Sequence, residues 1–94
     1  MIKFLLNMKI IMVKKKDCMP CKMFEPTIKN VAKQNDLEYK SVQAEDIPER
    51  MRPEIFPYFY LLNGEDLLEN WAGTNTRKMS NVLKRHIPNF SFNE

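Results

Sequence analysis

A pair of cysteines separated by two residues constrains the fold most, because it lies between an apolar run and a helical pattern. Residues 10–13 (Ile-Ile-Met-Val) form a short, continuous apolar run rich in β-branched residues, which is typical of a strand buried on both faces. Cys18 and Cys21 follow after a polar stretch that ends at Asp17. Pro20 stands where the first turn of a helix tolerates proline. The pair is therefore predicted at the N-terminus of a helix that leaves a buried strand.

The remaining pattern predicts an α/β fold. An apolar stripe at three- and four-residue spacing predicts a helix that ends near residues 35–36 and is kinked at Pro26; its members are Met23, Phe24, Ile28, Val31 and Ala32. Further strands are predicted over 37–42, 58–62 and 67–71, the last two joined by a hairpin at Asn63-Gly64. A final helix begins with Thr74 or Thr76 as its cap and ends before Pro88.

This order of elements predicts a four-stranded mixed sheet with helices on both faces. A strand–helix–strand unit implies a parallel pair, and the hairpin adds antiparallel strands. With 94 residues and no linker or repeat, the chain is expected to form one domain over residues 1–94. We expect the tail at 89–94 to be loose.

Composition narrows the function classes. Hydrophobic residues make up 44% and charged residues 29%, as in soluble globular proteins, and no apolar run reaches the roughly 18 residues of a membrane span. The net charge of +3 is spread along the chain, apart from residues 14–16, so nucleic acid is not an expected partner. Residues 1–13 are apolar but interrupted by Lys3, Asn7 and Lys9, without a cleavage site. We therefore expect them to belong to the fold, and the protein to be cytoplasmic. We also expect a monomer.

The two cysteines suit thiol chemistry better than a structural scaffold. One pair closing so small a loop stabilises little, and small secreted scaffolds carry several pairs. At a helix N-terminus, Cys18 lies near free N–H groups and the positive end of the dipole, so we expect its pKa to fall below about 8.5. Nearby lysines add positive potential: Lys14, Lys15, Lys16 and Lys22. Cys18 is predicted to be the exposed attacking thiol, and Cys21, one turn into the helix, the shielded thiol that resolves the mixed disulfide.

Two other interpretations of the pair fit the sequence less well. A structural zinc ion needs four ligands, but His86 is the only histidine and no other cysteine exists, so no metal is predicted. The cysteines could also be incidental core residues. Their position between a buried strand and a helix favours redox chemistry instead.

The segment from Cys18 to Pro26 (Cys-Met-Pro-Cys-Lys-Met-Phe-Glu-Pro) resembles the active-site helix of the thioredoxin family, which carries Cys-Gly-Pro-Cys-Lys-Met and then a kinking proline. Phe56-Pro57, before an aromatic strand, resembles the position of the family's cis-proline. Asn63-Gly64-Glu65 and Gly73 resemble its hairpin and the glycine beside its binding groove.

The resemblance implies a compact thioredoxin fold that lacks the usual N-terminal strand–helix. It implies a protein-disulfide reductase acting through a redox-active Cys18–Cys21 disulfide, without a bound cofactor. Protein disulfides would be its substrates, and a thioredoxin reductase or glutathione its electron donor. Substrate contacts would fall on Met19, Pro20, Phe56, Pro57 and Gly73, and Trp71 is interpreted as a core residue.

The chain also departs from the family. Asp17 replaces the usual tryptophan before the first cysteine. Its negative charge should oppose the positive potential by which Lys16 and Lys22 lower the pKa of the thiols. Met12 occupies the place of the buried aspartate that moves a proton for the second cysteine. Deprotonation of Cys21 must then use water, Asp17 or another nearby group. Phage-encoded redoxins tolerate a short chain without that tryptophan. If a virus encodes this protein, it would act in the host cytoplasm.

Two alternatives stay open at this point. Ala72-Gly73-Thr74-Asn75 is a partial match to the glutathione-binding turn of glutaredoxins, so the protein could be a glutathione-linked, glutaredoxin-like reductant, for example for ribonucleotide reductase. It could also be a non-catalytic binding subunit with a thioredoxin fold.

Overall fold

The computed structural model describes residues 7–93, which form a four-stranded mixed sheet and two α-helices. In chain order the elements are β1 (Met8–Lys14), α1 (Met19–Gln34), β2 (Glu38–Gln43), β3 (Tyr58–Asn63), β4 (Asp66–Ala72) and α2 (Thr76–Lys84). The strand order is β2-β1-β3-β4, with β1 parallel to β2 and antiparallel to β3. The predicted α/β sheet and its hairpin between β3 and β4 are confirmed, but the two turn residues are Gly64 and Glu65, one position later than predicted, because Asn63 still pairs with Asp66.

The hydrophobic core lies on one face of this sheet. The pairs Met12–Phe59 and Ile10–Leu61 lie opposite each other on β1 and β3, and all four side chains have no exposed surface. Trp71 of β4 stacks on Phe59 with ring centroids 5.2 Å apart, which agrees with its interpretation as a core residue.

Both helices described in residues 7–93 cover this same face, so the expectation of helices on both faces was wrong. Phe24 of α1 meets Phe59 edge to face at 5.7 Å, and Met79 and Leu83 of α2 join the same buried cluster. The segment between β2 and β3 forms only two short 3₁₀ turns, Ala44–Asp46 and Glu49–Met51. Prolines at 48 and 53 interrupt it, so it supplies no long helix for the other face. As a result β1 is fully buried on its helix face and only partly on the other.

Helix α1 presents a narrower apolar stripe than the sequence suggested. Its buried side chains are Cys21, Phe24, Ile28, Val31 and Ala32. Met23, expected in the stripe, is 72% exposed, because it is displaced by about 100° around the helix axis from Phe24. The helix runs on as a single element across Pro26.

The N-cap of α2 is Asn75, and neither Thr74 nor Thr76 takes that place. The Asn75 side chain accepts a hydrogen bond of 2.9 Å from the backbone N–H of Lys78. Asparagine ranks above threonine as an N-cap, so Asn75 was the stronger candidate of the three adjacent residues.

The described part of the tail, residues 89–93, is fastened to the C-terminal end of α1, contrary to the expectation that it is loose. Asn35 donates to Ser91 O at 2.7 Å and accepts from Ser91 N at 2.9 Å. Phe90 and Phe92 pack against the core cluster. The expectation that the N-terminal segment belongs to the fold concerns mostly residues 1–6, which lie outside the described residues. Of this segment, Asn7 is described, and its backbone carbonyl accepts a hydrogen bond from Gly64 N at 2.9 Å.

Candidate active site

A disulfide between Cys18 and Cys21 stands at the start of α1. Cys18 is the N-cap of the helix and Cys21 lies in its first turn, with Cα atoms 5.3 Å apart. The backbone N–H of Cys21 donates to Cys18 Sγ at 3.2 Å. The cap sulfur therefore occupies the place where an N-cap oxygen normally accepts, and this site favours negative charge. The predicted position of the pair is confirmed.

Both cysteines are more deeply set than expected. Cys18 is 6% exposed and Cys21 1%, so the first cysteine is the more accessible one, as predicted, but it is not an exposed side chain. Both belong to the hydrophobic core cluster under the sheet's helix face. A reacting group must therefore approach Cys18 through a small opening.

The Phe56–Pro57 segment is joined to Gly73. The peptide bond before Pro57 is cis, and Pro57 is almost fully buried. Gly73 N donates to Pro57 O at 2.8 Å, and Gly73 has a φ of 92°, which side chains disfavour. Lys15 Nζ lies 5.0 Å from the centroid of the Phe56 ring, so this segment borders the loop that leads into Cys18. The lysine–aromatic contact was not foreseen from the sequence.

An apolar groove lies beside the start of α1. It has a volume of about 530 Å³, and Met19, Pro20 and Met23 line it together with Phe24, Thr27, Thr74 and Thr76. Met19 is 60% exposed, and the adjacent Met23 is more exposed still. Met19 and Pro20, both predicted to contact the substrate, thus share a surface with Met23, which the sequence pattern assigned to the buried stripe of α1.

A second, polar groove of about 490 Å³ lies on the other side of Cys21. Its lining residues are Lys14, Lys15, Lys16, Asp17, Cys21, Lys22, Glu25, Gln43 and Glu45. All three residues predicted to tune the thiols, Lys16, Asp17 and Lys22, are exposed here. Lys14 does not contribute a free positive charge, because its Nζ pairs with Glu25 Oε1 at 2.9 Å.

Glu25 is a polar residue of this groove that the sequence analysis missed. Tyr39 Oη lies 2.8 Å from Glu25 Oε2 and 3.3 Å from Met12 Sδ, so Met12 shares its surroundings with a carboxylate. Burial raises the pKa of Glu25, but the hydrogen bonds from Lys14 and Tyr39 outweigh it and the net pKa is lowered. Burial and the adjacent carboxylate raise the pKa of Tyr39, which keeps its hydroxyl a donor. The available signal was the position of Glu25 four residues after Cys21 on a helix.

The described part of the chain shows neither of two other kinds of feature. No helix within residues 7–93 is long and apolar enough to cross a bilayer. Within the same residues, no three side chains of the His, Cys, Asp or Glu type are grouped so that they could hold a metal ion.

Comparison with known proteins identifies the fold. No family model matches the sequence, and no curated protein matches it. Solved structures do match. The crystal structure of thioredoxin f2 from Chlamydomonas reinhardtii superposes with a TM-score of 0.76 at 16% identity, covering 87% of this chain and 81% of that one.

Two further thioredoxins agree. The Fasciola hepatica thioredoxin matches with a TM-score of 0.74 at 18% identity, over 89% of this chain and 85% of its own. The germline-specific thioredoxin Deadhead of Drosophila melanogaster matches with 0.71 at 23% identity, over 87% and 83%. The chain therefore has the thioredoxin fold, with its Cys18–Cys21 disulfide at the N-terminus of α1.

Proposed function

We propose that the protein is a thiol–disulfide oxidoreductase that reduces disulfides of other proteins. The observation that carries the proposal is the Cys-x-x-Cys disulfide at the N-terminus of α1, with its first sulfur the more accessible, in a fold shared with thioredoxins. The Cys21 N–H and the helix dipole stabilise negative charge on Cys18 Sγ, which is the form that attacks disulfides.

The reaction begins from the reduced dithiol. The Cys18 thiolate attacks one sulfur of a client disulfide, a Cys18–client bond forms, and the other client sulfur leaves as a thiolate that solvent protonates. Cys21 then loses its proton and attacks Cys18 Sγ, which restores the Cys18–Cys21 bond and releases the second client thiolate. The client gains two electrons and the dithiol loses two. A thioredoxin reductase or glutathione returns them, and no bound cofactor is needed.

The client docks across the residues around the opening to Cys18. Phe56 and Pro57 offer a backbone segment, held by the Gly73 hydrogen bond, against which an extended client strand can pair. Met19 and Pro20 offer an apolar surface that continues to Met23. Lys16, Asp17 and Lys22 border the disulfide on the polar side and adjust the charge around the thiols.

A glutathione-linked reaction is the second candidate, based on the Gly73 turn. Two polar groups of that turn already have partners: Gly73 N binds Pro57 O, and the Asn75 side chain caps α2. A glutathione carboxylate would have to compete with both. This favours protein disulfides over glutathione as the substrate. We also propose that the protein acts as a monomer in the cytoplasm, or in the host cytoplasm if a virus encodes it. A non-catalytic binding subunit is the third possibility.

Turnover of insulin disulfides with dithiothreitol as terminal reductant tests the proposal. The native protein should accelerate insulin reduction, and Cys18→Ser should abolish the acceleration. Cys21→Ser, first reduced and then freed of dithiothreitol, should form a mixed disulfide with insulin that accumulates. A parallel run with glutathione alone separates the first two candidates. Native activity no higher than that of the double Cys→Ser variant would refute the redox function and favour the binding subunit.

A further inference from the structure

Glu25 lies one helical turn after Cys21, on the same side of α1. Residues four apart on a helix are neighbours, with Cβ atoms about 5–6 Å apart. Both residues line the polar groove described above, and the Glu25 side chain keeps only 17% of its surface exposed. A carboxylate therefore stands beside the thiol that must become a nucleophile while buried.

The carboxylate is held in place by two partners on neighbouring strands. Lys14 Nζ of β1 binds Oε1 at 2.9 Å, and Tyr39 Oη of β2 donates to Oε2 at 2.8 Å. A base oriented by a third group beside a nucleophile is the arrangement that activates thiols and hydroxyls. Because its pKa is lowered, Glu25 is ionised at neutral pH, and each of its oxygens keeps a second lone pair that can accept a proton.

A third group in the groove points to a proton path. Gln43 pairs with Lys14 in the β1–β2 register and lines the groove with Cys21 and Glu25. Its Oε1 is buried and has no hydrogen-bond partner among the described residues. A buried acceptor of this kind requires a donor, and a thiol S–H or a water O–H would supply it.

We propose that Glu25 accepts the proton of Cys21 when the mixed disulfide is resolved, directly or through one water molecule bound to Gln43. The inference rests on the proposed function. The proton passes from Cys21 Sγ to the Glu25 carboxylate, the Cys21 thiolate attacks Cys18 Sγ, the Cys18–Cys21 bond forms and the Cys18–client bond breaks. Protonated Glu25 then returns the proton to the departing client thiolate or to solvent, which restores its ion pair with Lys14.

The titratable and charged groups that contact Glu25 or line its groove come from every neighbouring element and contribute to its pH response. They are Lys14, Lys15, Lys16 and Asp17 from β1 and its loop, Lys22 and Lys29 from α1, Tyr39 from β2, and Glu45 from the turn after β2. Positive charges outnumber negative ones in this set, so they favour the Glu25 carboxylate over its protonated form and make the transfer a transient one.

The test separates the two thiol steps by stopped flow. Reduced protein is mixed with excess dithiobis-nitrobenzoate, a chromogenic aryl disulfide; attack by Cys18 releases one coloured thiolate, and resolution by Cys21 releases the second. Glu25→Gln should leave the first phase unchanged and slow the second by about tenfold to a hundredfold, the lower range of general-base effects. Glu38→Gln, which removes an exposed carboxylate of β2 outside this groove, is the matched control and should change neither phase.

The pH profile distinguishes proton transfer from a structural effect. Between about pH 6 and pH 8 the native second phase should be nearly flat, whereas in Glu25→Gln it should rise about tenfold per pH unit, as attack then requires prior loss of the thiol proton to solvent. Tyr39→Phe, which loosens Glu25 but keeps it, should slow the second phase less. A Glu25→Gln second phase with native rate and profile would overturn this inference alone, while absence of any first phase would overturn the proposed function.

Discussion

The hydrogen bond between Gly73 and Pro57 provides a sharp test of how the site is held, through the substitution Gly73→Ala. A methyl group at this position meets no atom of a more distant residue within 4 Å, so crowding by other parts of the protein plays no part. The cost comes from the φ of 92°, which lies beyond the ordinary left-handed region. Backbone strain of this kind costs about 1–3 kcal/mol, and we expect about 2 kcal/mol. In a domain of this size that corresponds to a fall in melting temperature of about 8–16 °C.

The backbone of Gly73→Ala can respond to this strain in two ways, and a measurement of activity distinguishes them. If the backbone keeps its conformation, stability falls and client reduction remains near native. If the backbone relaxes to a negative φ, the Gly73–Pro57 hydrogen bond is lost, at a similar cost of about 0.5–1.5 kcal/mol, and the Phe56–Pro57 segment moves. We expect relaxation, and therefore at least a tenfold loss of insulin reduction in addition to the lower stability.

Gly64→Ala is the matched control for this experiment. Gly64 also has a positive φ, 62°, with open space around its Cα, but it lies in the β3–β4 hairpin. We expect a smaller destabilisation, of about 1 kcal/mol, and native activity. Urea unfolding and insulin reduction measure the two effects. The reasoning is refuted if Gly73→Ala is as stable as the native protein, or if Gly64→Ala loses as much activity.

Three further predictions concern the frame of the site. Asn35→Ala removes two hydrogen bonds to Ser91 and one to Val31 O, so it should lower the free energy of unfolding by about 1–2 kcal/mol and expose the tail amides to hydrogen exchange. Asn30→Ala, which changes an exposed asparagine of α1, should have neither effect. Equal effects of the two substitutions would contradict the role of the tail contact. Phe59→Ala, at the contact of Phe24 and Trp71, should cost about 3–5 kcal/mol in urea unfolding, and a loss below 1 kcal/mol would show that the aromatic cluster is not the centre of the core. Hydrogen bonds from Arg85 and His86 lower the pKa of Glu69 to about 2, so the ionised Glu69 should stabilise the fold fully above about pH 4.5 and progressively less as the pH falls toward 2. The melting temperatures of native protein and Glu69→Gln should therefore converge over that range. A difference that stays constant would contradict the assignment.

Much of the fold could be predicted because its signals are local. The β-branched run of β1, the cysteine pair with Pro20, and the glycine of the β3–β4 hairpin each depend on backbone preferences of a few adjacent residues. The identity of the cis peptide before Pro57 followed from the resemblance to thioredoxins, since local sequence leaves an X–Pro bond free to be either isomer.

The sequence by itself therefore determined the order of elements, the site of the disulfide and which cysteine is the more accessible. Only the tertiary structure decided which polar groups meet around that disulfide. Lys14 and Glu25 are 11 residues apart, Tyr39 and Glu25 are 14 apart, and Asn35 and Ser91 are 56 apart. Periodicity shows that such a residue lies on a given face, but its partner depends on how the sheet register and the helix packing bring distant faces together. The same reason explains the exposure of Met23 and the sheet face that neither α-helix of residues 7–93 covers. Burial depends on how the layers assemble, and no short segment of sequence contains that information.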